Sequence, residues 1–514
     1  MNLAEIGQYW ARWQPHDVAI RMGEVEVSWA ELERRVGALA AGLHENGIYR
    51  GDRVGILAGN SIEWCELVLA TVRIGAIVVP LNVRLSPPEV SSLVADSGCT
   101  AVAMDGELSG RYRRIADRHP DVLRIGITDD VPADVPLPGL RATSAVFRDD
   151  SAEGPVDEDD VAIIAHTSGT TGRPRGVMLT HGNIAASANQ WRQADGWTRD
   201  TNLLLCVPLA FTGGIVNNFM GTYGCGGTLV LEAAFDPVRA LELIVSTPIT
   251  AMAGVPVMFQ GIASAPGFAG ADLSAFGTAI TGGSPVPPSL LKTYQDKGVM
   301  IRQAYALTEA SGSVCILPAG HALDRHASAG LPQVHTRIRV VGEDGRSTPT
   351  GEVGEIQVAG PQVMKGYWND REATAAALAG GWLRTGDLGT LDADGFLSVV
   401  DRRNDKIISG GLNLYPAEIE NVVAGFPGVS EVGAYGVPHP RWGETVAISV
   451  GADGAGIDVD ALVAHCRANL GDYKVPRFVT IATGPLPRSM SGKILRRELR
   501  ASFDESTAVP TGAS

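Results

Sequence analysis

Short apolar runs, helix-spaced stretches and Gly/Pro turns alternate along most of the chain. Residues 53–58 (Arg-Val-Gly-Ile-Leu-Ala) and 76–80 (Ala-Ile-Val-Val-Pro) have the length and apolar continuity of buried strands. From Ser28 to Leu43 the apolar positions recur at helical spacing, with Ser28 placed as an N-cap. This alternation continues to about residue 310 and predicts an α/β architecture with largely buried sheets. From 333 to 400 the pattern changes to short strands and tight turns: Arg337-Ile-Arg-Val-Val, then Gly342-Glu-Asp-Gly, then Glu355-Ile-Gln-Val and Gly395-Phe-Leu-Ser-Val-Val. That reads as a small, mostly antiparallel β unit. A polar break follows at 401–406. Beyond it a helix over 416–425, strands over 431–437 and 445–451, a helix over 458–470 and a strand near 478–482 predict a small α+β domain. The expected organisation is a large N-terminal domain over 1–400, a link at 401–404 and a small domain over 405–514. The tail 503–514 is expected to fray.

With 514 residues, several cores are expected, since chains beyond roughly 250–300 residues usually divide. The longest apolar runs, such as Leu67–Val72 and Leu203–Phe211, fall short of the roughly 18 residues of a membrane span. The start, Met1-Asn-Leu-Ala-Glu-Ile, lacks a basic region and a long apolar region, so no signal peptide is read. Cysteines 65, 99, 206, 225, 315 and 466 form no CxxC pair and no zinc spacing, which suits reduced thiols in a cytoplasmic protein. A net charge of −15 argues against nucleic acid as a partner. It also repels polyanionic small molecules, so local basic clusters would have to overcome the global field. Such clusters lie at Arg402, Arg403 and Lys406, at Lys474 and Arg477, and at Arg488, Lys493, Arg496 and Arg497.

The sharpest chemical signal is His166-Thr-Ser-Gly-Thr-Thr-Gly-Arg-Pro-Arg-Gly-Val177, which follows the apolar run Val161–Ala165. Thr167, Ser168, Thr170 and Thr171 supply hydroxyl donors. Gly169 and Gly172 let backbone N–H groups turn toward an anion. Arg173 and Arg175 add fixed positive charge. This is a phosphate cradle by chemistry. It is not a Walker loop, because GxxxxGK[ST] is absent and Val177-Met-Leu-Thr reads as a strand. A shorter Ser/Thr/Gly run would read as a surface turn.

The chain resembles the adenylate-forming enzymes, the superfamily of acyl-CoA synthetases, aryl-CoA ligases, luciferases and peptide-synthetase adenylation domains. The resemblance rests on that string and on further collinear ones: Thr281–Pro287, Gln303–Glu309, Gly354–Pro361, Met364–Asn369, Gly381–Leu388, Arg402–Glu420 and Pro487–Ile494. It implies ATP, Mg²⁺ and coenzyme A as cofactors and an acyl-CoA synthetase activity on a hydrophobic carboxylic acid. In that reading Tyr305 stacks on adenine, with Gly282, Gly283 and Ser284 along its other face and Ala304 beside it. Thr308 contacts the α-phosphate, Glu309 holds Mg²⁺, Asp387 accepts the ribose hydroxyls, and Arg402 assists at ribose or phosphate. Lys493, in Pro-Arg-Ser-Met-Ser-Gly-Lys, neutralises charge in the adenylation step. The small domain then rotates about Asn404, and Ser409, Gly410 and Gly411 present bare backbone to the pantetheine arm. Lys474 contributes at coenzyme A.

The resemblance is weakest at the acyl pocket. Pro208-Leu-Ala-Phe-Thr-Gly-Gly replaces the family's Pro-Leu-Phe-His, so Phe211 stands where relatives often carry a gating His. No Asp or Glu lies between 202 and 231, which argues against an amino acid substrate. Phe211, Thr212, Asn217, Val255, Met258, Thr281 and Ala304 are the expected lining, with Asn217 and Asn218 either meeting a polar group or capping a helix. Arg175 in place of the usual lysine, and Asn404 at the hinge, are further departures. Rival readings keep adenylation but load a carrier protein, or perform one half-reaction, or bind nucleotide without turnover, or oxidise the adenylate with light.

Overall fold

The computed structural model describes residues 2–106, 118–128, 131, 133–142, 155–167, 174–282, 286–312, 314–402, 405–409, 412–452, 456–488 and 493–511, without the side chains of 402, 413 and 472. The chain forms two compact units, Met1–Ile338 with Val358–Arg384 and Arg339–Gln357 with Thr385–Ser514.

The first unit holds two large sheets. In one, Gly366–Tyr367, Arg175–Thr180, Val161–Thr167, Ile77–Pro80, Arg53–Leu57, Ala101–Met104, Leu123–Gly126 and Val135–Pro136 lie side by side. Its middle strands are parallel and almost wholly buried, which is why they read as unbroken apolar runs. Helix Trp29–Glu45 starts where expected, with Ser28 Oγ accepting from the Glu31 N–H at 3.2 Å. The buried helix Ile62–Arg73 buries two charged side chains, Glu66 and Arg73, the latter paired with Glu33. Glu66 is fully buried and paired with Arg35 and Arg141.

The other sheet runs Leu331–Pro332, Cys315–Ile316, Ile301–Tyr305, Thr278–Gly282, Ala251–Gly254, Asn202–Leu205, Thr228–Leu231, Val18–Met22 and Val25–Ser28. Its largest described core cluster packs helices Pro237–Ser246, Pro256–Ser264 and Pro288–Gln295 on the sheet through Phe259, Ile262, Leu290 and Tyr294. A third sheet is drawn from residues 337–402, with antiparallel pairing where Trp382–Leu391 meets Leu378–Ala379 and Leu397–Arg402.

In the second unit, strands Leu412–Leu414, Ile407–Ser409, Gly443–Ala452, Phe478–Ile481 and Val509–Pro510 form a sheet. Val429–His439 pairs the other way along Gly443–Ala452. Helices Pro416–Ala424 and Val459–Asn469 close its core through Ile419, Val423, Leu462 and Cys466. The tail departs from expectation. Val509 and Pro510 pair antiparallel with Val479 and Phe478, the Thr511 N–H donates to the Arg477 carbonyl at 3.0 Å, and Ala508 is buried. An open sheet edge captures a segment whose polar composition alone suggests fraying.

Among the described residues no helix is long and apolar enough to cross a membrane, and all six cysteines are buried and free.

Candidate active site

Strands Asn202–Leu205, Ala251–Gly254, Thr278–Gly282 and Ile301–Tyr305 are adjacent and parallel. In open α/β sheets, ligands gather at the carboxyl ends of such strands. The four ends lead into residues 206–212, 255–258, 281–285 and 305–309, the segments from which the nucleotide and acyl residues were expected. Thr281 lies opposite Gly254 and Gln303, and Gly282 lies opposite Ala304. A Cβ on Gly282 would stand 2.8 Å from the Ala304 carbonyl oxygen, so only glycine lets these backbones approach. Gly283 and Ser284 lie outside the described residues. Tyr305 ends its strand half-buried, and its carbonyl accepts from the Val314 N–H at 3.2 Å.

A 3₁₀ turn, Thr308–Ala310, follows. Thr212 Oγ1 donates to Thr308 Oγ1 at 3.1 Å, joining the expected phosphate residue to the expected acyl wall. The chain then passes through Ser311 (φ 50) and Gly312 (φ 75), both left-handed. Ser311 is pinned there: its hydroxyl donates to the Gln362 carbonyl at 2.8 Å and its carbonyl accepts from Ser187 Oγ at 2.9 Å. Glu309 accepts from the Tyr367 hydroxyl at 3.1 Å. Burial, and then the Glu309 carboxylate, push the Tyr367 phenol well above its ordinary pKa, so it stays a donor. The Arg175 guanidinium lies over the Tyr367 ring at 5.4 Å, with Nε 3.9 Å from Asp370. Among the described residues no cluster of three His, Cys, Asp or Glu could hold a metal ion. A single carboxylate, Glu309, suits Mg²⁺, which keeps water and phosphate oxygens as most of its ligands.

Thr167 ends its strand opposite Arg175. Ser168, Gly169, Thr170, Thr171 and Gly172 lie outside the described residues. His166, next in line, is half-buried with Nε2 3.2 Å from Ser97 Oγ. Burial lowers its pKa to about 4, so it brings no positive charge to the cradle at neutral pH.

Phe211 and Thr212 lead into a π-helix, Gly213–Met220. Asn217 and Asn218 sit inside it and are buried; neither caps a helix, which settles one of the two expectations for them. Val255 is the N-cap residue of helix Pro256–Ser264, and Met258 Sδ would meet a Cβ on Gly254 at 3.0 Å. Met258 therefore packs at the end of strand Ala251–Gly254, whose Gly254 lies opposite Thr281.

In the second unit, Asp387 lies opposite Arg402 on antiparallel strands, and its N–H donates to Thr385 Oγ1 at 3.1 Å. Asn404, Gly410 and Gly411 lie outside the described residues, as does the Arg402 side chain. Ser409 pairs with Leu412 and Gly443. Lys493 is exposed and immediately precedes Ile494, which forms a backbone bridge with Arg488. Several expected anion attractors are instead held by carboxylates of the same unit. Lys474 Nζ is 2.5 Å from Glu418, and Arg488 is 2.5 Å from Glu431. Arg496 reaches Asp401 at 2.7 Å, Glu420 at 2.6 Å and Asp405 at 3.1 Å. Arg441 and Arg477 lie over the Trp442 ring at 4.4 and 5.8 Å. Sequence reasoning missed Tyr367 as the partner of Glu309, although it lay inside the string Met364–Asn369, and read Arg496 as one of a basic cluster rather than as a hub.

The profile of the AMP-binding enzyme family matches residues 7–368, and that of the AMP-binding enzyme C-terminal domain matches 418–493. The chain is 41% identical to a feruloyl-CoA synthase of Amycolatopsis sp over 502 residues, covering 96% of this chain and 97% of that protein. It is 37% identical to a long-chain-fatty-acid–CoA ligase of Mycobacterium tuberculosis, covering 95% of each. Among solved structures, the o-succinylbenzoate CoA synthetase of Bacillus subtilis, in complex with its acyl-adenylate intermediate, superposes with a TM-score of 0.86. Its sequence identity is 30%, over 96% of this chain and 97% of that one. The chain belongs to the AMP-binding enzyme family, in its acyl- and aryl-CoA ligase branch, and is an ATP-dependent, AMP-forming acid–thiol ligase.

Proposed function

We propose that the chain converts an aromatic carboxylic acid to its acyl-adenylate with ATP and then to the coenzyme A thioester. The observation that carries this is the convergence of Gly282, Tyr305, Thr308 and Glu309 at neighbouring parallel strand ends, with Thr212 of the acyl wall bonded to Thr308. In the first step a carboxylate oxygen attacks the α-phosphorus and pyrophosphate leaves. Thr308 donates to the α-phosphate, Tyr305 packs on adenine, and Thr167 through Gly172 cradle the departing phosphates. Glu309, oriented by Tyr367, would hold Mg²⁺, which supplies neutralising charge on the phosphates. A relative of known structure is described in complex with ATP and magnesium ion. Asp387 accepts the ribose hydroxyls, with Arg402 beside it, and Lys493 approaches the reacting phosphate.

In the second step the thiolate of coenzyme A attacks the acyl carbonyl and AMP leaves. Reorientation about Asn404 brings Ser409, Gly410 and Gly411 to the pantetheine arm. Lys474 serves coenzyme A only by leaving Glu418. Free coenzyme A is favoured over a carrier protein because the similar proteins are named as coenzyme A ligases. An aromatic acid is favoured by the feruloyl-CoA synthase at 41% identity. Buried unpaired thiols and the use of ATP and coenzyme A suit the cytoplasm.

The test is ATP–pyrophosphate exchange with Mg²⁺ across aromatic acids, long-chain fatty acids and amino acids, followed by mass spectrometry with and without coenzyme A. Aromatic acids are expected to give acid-dependent exchange and an aryl-CoA. Amino acids are expected to give neither. Exchange confined to amino acids, or no splitting of ATP to AMP with any acid, sinks the reading.

A further inference from the structure

The π-helix beside the acyl wall leaves one hydrogen-bonding atom waiting. Asn217 is 8% exposed, and its amide nitrogen donates to the Gly312 carbonyl at 2.8 Å. That bond fixes which end of the amide is oxygen. The oxygen, Oδ1, is buried and has no partner among the described residues. A buried acceptor left unmet is costly, and a donor on a bound molecule would relieve it. Gly312 makes the room: it is left-handed at φ 75, and a Cβ there would fall 2.5 Å from that same oxygen. Asn217 and Thr212 both reach the segment 308–312, Thr212 through Thr308 and Asn217 through Gly312. Two further buried oxygens of this wall, Asn218 Oδ1 and Thr281 Oγ1, likewise lack partners among the described residues.

The stretch around Asn217 favours a neutral donor. No carboxylate lies between residues 202 and 231 to balance an ammonium group. A hydroxyl on an otherwise apolar substrate meets the requirement. We propose that Asn217 determines specificity by accepting a hydrogen bond from a ring hydroxyl, so that the substrate is a hydroxylated aromatic acid. This rests on the aromatic-acid reading above.

The experiment compares kcat/KM for hydroxybenzoic and hydroxycinnamic acids, hydroxylated meta or para, with their methoxy and unsubstituted counterparts. The methoxy group keeps the oxygen but cannot donate. The parent protein is expected to prefer the best hydroxy acid over its methoxy and unsubstituted analogues by about 10–100-fold, because each analogue leaves the buried acceptor unpaired. In Asn217→Leu that ratio is expected to fall at least tenfold, chiefly through loss on the hydroxy acid. Parent protein that turns over aromatic acids without distinguishing hydroxyl from methoxyl overturns this inference and leaves the aromatic-acid reading standing. So does an Asn217→Leu variant that keeps the parental ratio. Failure with every aromatic acid overturns both. The parental comparison decides the matter even if the variant does not fold.

Discussion

Lys493→Ala is expected to slow acyl-adenylate formation by about 10²–10³-fold, the usual consequence of removing one preorganised charge from a transition state. When a carboxylate approaches a triphosphate, two anions must share one centre, and a compact ammonium is suited to that task. The local structure fits the role. Ile494 is anchored among Tyr435, Leu486 and Leu499, while Lys493 beside it is exposed. The Leu495 N–H donates to the Pro487 carbonyl at 2.8 Å, closing the base of the segment that presents the lysine. Thioester formation from a supplied acyl-adenylate is expected to stay close to parental, since no pyrophosphate departs in that step. Single-turnover assays of the two half-reactions measure this directly. Parental adenylation by Lys493→Ala refutes the assignment, and equal losses in both steps point to a folding defect instead.

The second large effect concerns stability. Arg496→Met should weaken the second unit by about 3–5 kcal/mol, because removing one member of a buried ionic network strands the others. The Asp401 carboxylate is 2% exposed and the Arg496 side chain 19%. The same guanidinium binds Glu420 with Nε at 2.9 Å and Nη2 at 2.6 Å. Both carboxylates also organise backbone: Asp401 accepts from the Ala417 N–H at 2.8 Å and Glu420 from the Ala434 N–H at 2.8 Å. Hydrogen exchange at Ala417 and Ala434 should therefore accelerate together in the variant, with a lower urea midpoint for that unit. Adding Asp401→Asn should recover part of the loss by removing a stranded charge. Unchanged protection at both amides refutes this account.

Much of the molecule was legible because it is written locally. Buried parallel strands announce themselves as apolar runs at 53–58 and 76–80. The nucleotide residues come in contiguous strings whose order is itself informative. What stayed hidden joins distant positions. Tyr367 reaches Glu309 across 58 residues, and Thr212 reaches Thr308 across 96. No periodicity encodes such pairs. Arg496 was hidden differently, since a buried hub and a solvated surface arginine look alike until the acids around it are seen. The amide orientation of Asn217 depends on a left-handed glycine 95 residues away, and the π-helix that presents it has no composition of its own.

The two-residue strand Val509–Pro510 has a practical meaning. Phe478–Ile481 is otherwise a ready template for another chain's backbone, and the tail occupies that template with its own Val509 and Pro510. Proline has no N–H to offer, and the next residue takes over, the Thr511 N–H donating to the Arg477 carbonyl at 3.0 Å. Shortening the chain before residue 508 would uncover Phe478 and Val479 to neighbouring molecules, and purification handles are safer at the other terminus.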